Sequence, residues 1–393
     1  MSSLLLSRVL PAALMLALLG VLASQAGTWP AGRTLVFTLG LGVAFGVVLQ
    51  RTRFCFYCHV RDYLERGDSR GVLAILLALS VGTVGMHLML GSWLPVPVEG
   101  RLPPDAHIGP VSWALVLAGL AFGLGKVVSG SCISAHWYRL GEGSPTAPFA
   151  LIGSALGFVL GFNTWNPLYS ATVAEAKPWW LPHALGYGGS ATVTLLIVGG
   201  LALWVWRRGV KQAAALAAPV VDLKDLATRL FSPSRWPYWV GGVAVAWLST
   251  LILLRTKPLG VTAALGSAAR QAGTSVGWVP ARLEGLDELG GCATAVPGPW
   301  WQTPNALLIA GLVGGSFAAA LLSRQFQPTL PKPAQVLRGL GGGVLLGWGA
   351  MTGLGCTVGN LLSGTMAGAV SGWVFGVSVF VAVWVGLRLK WAA

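Results

Sequence analysis

Charge is scarce in this chain. Only 10% of its 393 residues are Asp, Glu, Lys or Arg, and the acidic residues number just 12. Against that, 54% are hydrophobic and the mean hydropathy is +0.70. A soluble basic protein is therefore excluded, despite a formal net charge of +14. Also missing is any polar domain on which the basic residues could gather. They sit in short connections between apolar runs, which argues against a nucleic-acid partner and for a role in membrane orientation. No Walker loop, dinucleotide fingerprint, nucleophile elbow or H-E-x-x-H string occurs, so internal ATP hydrolysis has no support and the chain does not read as an enzyme or as a holder of a cofactor. The first apolar run, Val9 to Ala23, has no small-x-small cleavage site and no soluble segment after it. It reads as a retained helix rather than a signal peptide.

Apolar runs are what the chain has in abundance. Stretches long enough to cross a bilayer lie near 9–25, 34–50, 71–91, 111–128, 147–162, 184–206, 237–255, 304–323, 336–354 and 368–388. Shorter Gly-rich apolar pieces near 52–60, 129–138, 258–269 and 356–366 are too short to cross and too apolar for loops. The expectation is an all-α polytopic membrane protein of about nine or ten transmembrane helices, with these pieces as re-entrant half-helices. The 19 Trp suit interfacial belts, and the 55 Gly suit close helix packing.

A polar connection at 207–236, carrying Arg207, Arg208, Lys211, Lys224, Arg229 and Arg235, divides the chain. The expected organisation is an N-terminal transmembrane half, 1–206, a cytoplasmic connector, 207–236, and a C-terminal half, 237–393. Halves of similar size suggest an internal repeat of inverted topology. Segment 51–70 holds Arg51, Arg53, Arg61, Arg66 and Arg70 and is expected on the same, cytoplasmic side as the connector and both termini. Loops 92–110, 163–183 and 270–303 carry fewer basic residues.

One motif recurs. Gly46 precedes Cys55, Gly123 precedes Cys132 and Gly347 precedes Cys356 at the same separation, each pair ending an apolar run. A lone cysteine is most simply a small hydrophobe of the core. Three at one offset, each where a span breaks, point instead to a transport site near the midplane. A half-helix N-terminus offers free N–H groups to an anion, and a neutral thiol adds a weak donor and a polarizable sulfur. It meets a sulfur-bearing anion without a carboxylate's repulsion, and a ladder of weak sites lets the solute leave.

Cys55, Cys58 and His59 also form a C-x-x-C-H string, the attachment signature of a c-type haem. It falls in the most basic loop, on the side where covalent haem is not expected. Cys132 and His136 could complete a zinc site, but C-x-x-x-H at a helix break is weak evidence. A redox-active Cys55/Cys58 pair is a further alternative, because C-x-x-C supports thiol exchange, but Cys58 reads first as an extra pathway thiol near the inner mouth. Cys292, in a Gly-rich outer loop, is either an outer-mouth contact or an ordinary free thiol.

These elements resemble the YeeE/YedE family of bacterial inner-membrane sulfur-compound transporters. The resemblance covers most of the chain. It rests on Gly42-x-x-x-Gly46 through Arg53-x-Cys55 with Arg61-Asp62, and on Phe122-Gly123 through Gly130-x-Cys132. It extends to Pro258-Leu259-Gly260-Val261-Thr262 and to Gly347 through Gly353-x-Gly355-Cys356-x-x-Gly359-Asn360. Characterised members take up thiosulfate. The resemblance implies that Cys55, Cys132 and Cys356 would pass it along a narrow path by transient S–H···S hydrogen bonds. Cys58, His59 and the loop holding Cys292 are additions to the simplest family pattern, and relatives are linked to selenium and other sulfur compounds.

Four polar companions carry two readings each. Lys126, inside the fourth apolar segment, could attract a divalent anion or could snorkel to the interface. Arg270 could collect anions at the outer mouth or anchor the interface, and Arg53 could aid release inside or only fix topology. Asn360 could bond an oxyanion or tie neighbouring backbone. The function expected is uptake of thiosulfate or a similar small sulfur-containing anion across the bacterial inner membrane. The alternative is a membrane thiol-redox or persulfide-handling protein. A divalent anion entering against an inside-negative potential loses about 4.6 kcal/mol per 100 mV. Proton co-transport could offset that, as could consumption by a cytoplasmic sulfurtransferase partner.

Overall fold

A computed structural model describes residues 2–103, 106–213, 223–256, 260–289 and 298–391; for 2–7, 210–213 and 223 it describes the backbone alone. The first half runs α1 (Ser2–Gly27), α2 (Gly32–Thr52), α3 (Phe56–Arg66), α4 (Arg70–Trp93), α5 (Trp113–Ser129), α6 (Ile133–Gly141), α7 (Ala147–Leu168) and α8 (Leu181–Ala213). A short α9 (Leu223–Leu230) leads into the second half: α10 (Tyr238–Arg255), α11 (Ala263–Ser275), α12 (Pro304–Leu322), α13 (Pro333–Thr352), a π-helical segment Thr357–Gly364, and α14 (Val370–Arg388). Among the described residues there are nine helical stretches long and apolar enough to cross a membrane, or ten if α13 and its π-helical continuation count as one. The chain is an all-α multi-pass membrane protein.

The surface bears this out chemically. Leu14, Leu18, Leu88, Leu196 and Val377 point outward and exposed from the middles of long helices, where only lipid could make them comfortable. Trp93, Trp113 and Trp179 are exposed near one end of the bundle, and Trp204, Trp206, Trp239, Trp384 and Trp391 near the other. That is the two-belt arrangement expected of an amphipathic ring.

Three of the four expected breaks lie wholly among the described residues and are present, with different geometries. α2 and α3 form one interrupted stretch of 35 residues, and α5 with α6 one of 29. Only α13 turns sharply, by 43°, into the π-helical segment. The third short piece, 258–269, lies partly outside the described residues, which omit 257–259, and its later part enters α11.

Packing pairs recur between the halves. α2 packs on α12 and α4 on α10; α5 packs on α14 and α7 on α13. Exchanging α2 with α10, α4 with α12, α5 with α13 and α7 with α14 maps each of these pairs onto another of them. The recurring glycines lie at the crossings. A Cβ on Gly46 would sit 2.1 Å from the Leu312 carbonyl of α12, and one on Gly347 would sit 2.0 Å from the Ser154 carbonyl of α7. Gly123 likewise faces Ala382 and Val379 of α14. Glycine at each position lets two backbones touch, the small-residue solution for packing helices in lipid.

The basic segment 51–70 and the connector meet at one end of the bundle. Buried Arg51 donates to the carbonyls of Arg229, Ser232 and Ser234. The Trp236 N–H donates to the Arg51 carbonyl at 2.9 Å, and Gly209 packs against Ser69.

Candidate functional site

Each cysteine of the repeat is the N-cap of the short helix that follows a break: Cys55 for α3, Cys132 for α6 and Cys356 for the π-helical segment. Each is preceded, two positions earlier, by a left-handed residue: Arg53 (φ 51°), Gly130 (φ 76°) and Leu354 (φ 57°). One left-handed residue ends a helix by turning the chain aside while the following N–H groups still satisfy its last carbonyls, as the Phe54 N–H does for the Leu49 carbonyl at 3.3 Å. The cysteine two positions on is extended, and the helix restarts with the thiol at its positive end. Two of the three left-handed positions are not glycine, so the backbone there is strained.

Cys55 is the hub of the thiols. Its Sγ lies 3.5 Å from Cys132 Sγ and 3.8 Å from Ser131 Oγ, and it accepts the Cys58 backbone N–H at 3.4 Å. Cys132 Sγ continues to Ser134 Oγ at 3.0 Å. Cys58 Sγ accepts from Arg139 Nη2 at 3.5 Å. Cys356 is fully buried behind the third break. All four described thiols are free and buried.

Lys126 supplies the charge these thiols share. It is in electrostatic reach of Cys132, Cys55, Cys356 and Cys58. It is 1% exposed, and its Nζ sits 4.9 Å from the centroid of the Phe122 ring. The snorkelling reading therefore fails, because the ammonium stays inside rather than reaching the interface. No described carboxylate pairs with it or with Arg139. A buried ammonium without a counter-ion is costly, and the ring face returns only part of that cost. The site thus offers unmatched positive charge beside polarizable sulfur, an environment suited to a soft anion.

The other expected residues divide. Asn360 donates through Nδ2 to the Gly353 carbonyl at 2.6 Å and the Gly355 carbonyl at 3.3 Å. Both contacts hold the third break together, so its amide N–H groups are engaged by backbone rather than free for an oxyanion. Arg270 is ion-paired with Asp287 at 2.6 Å and lies over the Phe162 ring, which favours anchoring over anion collection. Cys292 lies outside the described residues. His136 is tied through Nε2 to Ser129 Oγ at 3.1 Å. His59 is buried against Gly71 and edge-on to Phe54 and Tyr238. Among the described residues no three His, Cys, Asp or Glu side chains assemble as metal ligands.

The structure adds residues the sequence reading passed over. Arg139 is one; it sits one position beyond the short apolar piece 129–138, and its spacing of seven from Cys132 was the available signal. Thr352 and Thr357, on either side of Cys356, are two more. Their buried hydroxyls meet no partner among the described residues, leaving donors for a solute.

Residues 51–385 match the family model described as sulphur transport, a span that covers every cysteine and charge of the site. The chain belongs to that family. It is 27% identical over 364 residues to the thiosulfate transporter TsuA of Escherichia coli, covering 87% of this chain and 91% of that one. To the thiosulfate transporter TsuA of Spirochaeta thermophila it is 28% identical over 359 residues, covering 88% and 95%. The family and both relatives are transporters, not enzymes.

Proposed function

We propose that this member of the sulphur transport family takes up thiosulfate, or a similarly small sulfur-containing anion, across the bacterial inner membrane. The observation that carries the reading is Lys126, a buried cation without a carboxylate partner among the described residues, within electrostatic reach of four thiols. Cys55, Cys132 and Cys356 are the stations of the path. Each adds a half-helix N-terminus, with its N–H groups, to a sulfur that can share a proton with the solute's terminal sulfur. Lys126 and Arg139 neutralise the two charges of the dianion while it is out of water. Thr352 and Thr357 offer hydroxyls to its oxygens near Cys356. Weak contacts of this kind, spread over several stations, favour conduction over capture.

The two halves, 1–206 and 237–393, act in this reading as an inverted repeat about the thiol cluster, with 207–236 as a cytoplasmic connector. The exchangeable packing pairs and the shared break geometry support it. Inward flux of a dianion needs either co-transported protons or removal of the anion by a cytoplasmic sulfurtransferase.

A second reading, thiol exchange, is favoured by one observation. Cys55 N-caps α3 and accepts the Cys58 N–H, which sets the C-x-x-C pair at a helix N-terminus, the usual setting of exchange thiols. Uptake of labelled thiosulfate by vesicles holding only this protein separates the two. Transport gives flux and leaves the thiols unmodified, whereas exchange breaks the S–S bond of thiosulfate, leaves its outer sulfur on Cys55 as a persulfide visible by intact mass, and releases sulfite.

A further inference from the structure

At the end of the bundle where the connector docks, a cavity of about 340 Å³ is lined by Arg53, Glu142, Ser144, Arg235, Gln325 and Gln327. It adjoins the first break. Arg53 stands two positions before Cys55, and Glu142 ends α6, whose Arg139 touches Cys58. Its walls are held in place by specific bonds. Arg235 Nη1 donates to the Gln50 carbonyl at 2.7 Å, and Gln325 Nε2 donates to the Pro233 carbonyl at 2.7 Å. The Gln327 N–H donates to the Glu142 carbonyl at 3.1 Å.

The charges around this cavity do not balance. Among the described residues of its lining, two guanidinium groups, Arg53 and Arg235, stand against one carboxylate, Glu142, whose Oε1 lies 3.5 Å from Arg235 Nη2 and 3.2 Å from Gln50 Nε2, and the charge of buried Arg51 is felt nearby. The Arg53 side chain has no ion pair or hydrogen bond among the described residues, and its charge repels Arg235. Arg51 Nε and Nη1 are buried and also lack described partners. Burial, and next the Arg53 charge, push the Arg235 guanidinium below its ordinary range.

We propose that this cavity is an anion-binding station for a small oxyanion held by Arg53 and Arg235, with Glu142 as the resident counter-ion that the arriving anion displaces from Arg235. Its role as the last stop before release rests on the transport reading; the binding itself does not. Glu142 stays close because Gln50 holds it, so the bound anion feels its repulsion. That repulsion keeps the station weak and lets the solute leave.

The test is sulfate binding to the purified full chain in nanodiscs, followed by titration calorimetry. Sulfate has no terminal sulfur, so the thiol stations offer it little. Glu142→Gln, which keeps the shape, should bind sulfate about fivefold to tenfold tighter than the unaltered protein. Arg53→Gln should weaken binding by a similar factor, Arg53→Lys should restore most of it, and added chloride should weaken binding throughout. In thiosulfate uptake, Glu142→Gln should lower KM and turnover together, because a better-held anion leaves more slowly. Unchanged sulfate affinity in Glu142→Gln, or full affinity in Arg53→Gln, would overturn the proposal, as would absence of sulfate binding to every variant. If the unaltered protein moves no thiosulfate while Glu142→Gln still binds sulfate more tightly, the station stands and the transport reading falls.

Discussion

Cys55 Sγ and Cys132 Sγ lie 3.5 Å apart, although 77 residues separate them in the chain. Two independently broken spans are brought together so that the thiols at their restart points touch. Both are N-caps, and both lie within reach of the charge on Lys126. The contact turns a sequence repeat into a local chemistry: adjoining soft sulfurs, two helix N-termini and a cation with no carboxylate partner among the described residues.

Removing one sulfur should stop transport without unfolding the protein. Cys132→Ala and Cys356→Ala are each expected to lower thiosulfate uptake at least tenfold at matched abundance. Loss of one small buried group should cost only about 1 kcal/mol of stability. Cys58→Ala and Cys292→Ala should be milder. Near-normal uptake by both central variants would remove the thiols from the pathway.

Lys126→Met separates function from packing. Burying an unpaired ammonium costs stability, so an apolar side chain of similar length should leave the melting temperature unchanged or raise it. Uptake should fall at least tenfold. A large drop in melting temperature alongside lost uptake would make Lys126 a structural residue.

The glycines of the repeat make a prediction about packing. Gly347→Leu would drive a side chain into the Ser154 carbonyl, which a Cβ alone already approaches to 2.0 Å. Backbone on both sides cannot yield cheaply, so a loss of about 3 kcal/mol or more is expected. Gly341→Leu on the same helix, where a Cβ meets nothing within 4 Å, is the control. Equal melting temperatures for the two variants would contradict the close crossing.

The spans, the breaks and the glycine–cysteine offset are legible in the sequence because hydropathy and spacing are local properties. Depth is not. Lys126 reads equally as an inner charge or a snorkelling one until α5 is packed against α13 and α14. Asn360 falls on the same helical face as Cys356, yet its amide turns back to Gly353 and Gly355, a preference set by the bend after α13. Arg139 and Glu142 were missed because α6 reads as an apolar fragment ending at 138, and what they face depends on the connector and α2. The left-handed backbone at Arg53 and Leu354 carries no glycine to announce it.

Orientation can be read by labelling. Single cysteines at Glu65 and Thr228, in a background without native thiols, should resist a membrane-impermeant maleimide in intact cells and react after permeabilisation. The contacts between Arg51 and the connector require both sites to give the same answer. Labelling of both in intact cells would reverse the orientation, and labelling of one alone would contradict the packing of the connector on α2.

The central claim is that this chain, by itself, moves thiosulfate. Purified protein reconstituted into liposomes and given sulfur-labelled thiosulfate measures it directly, with and without an imposed proton gradient. Uptake well above that of empty liposomes is expected, lost in Cys132→Ala, with sulfate a poor competitor because its outer atoms are all oxygen. Absence of flux from verified, correctly inserted protein under every imposed gradient would contradict it.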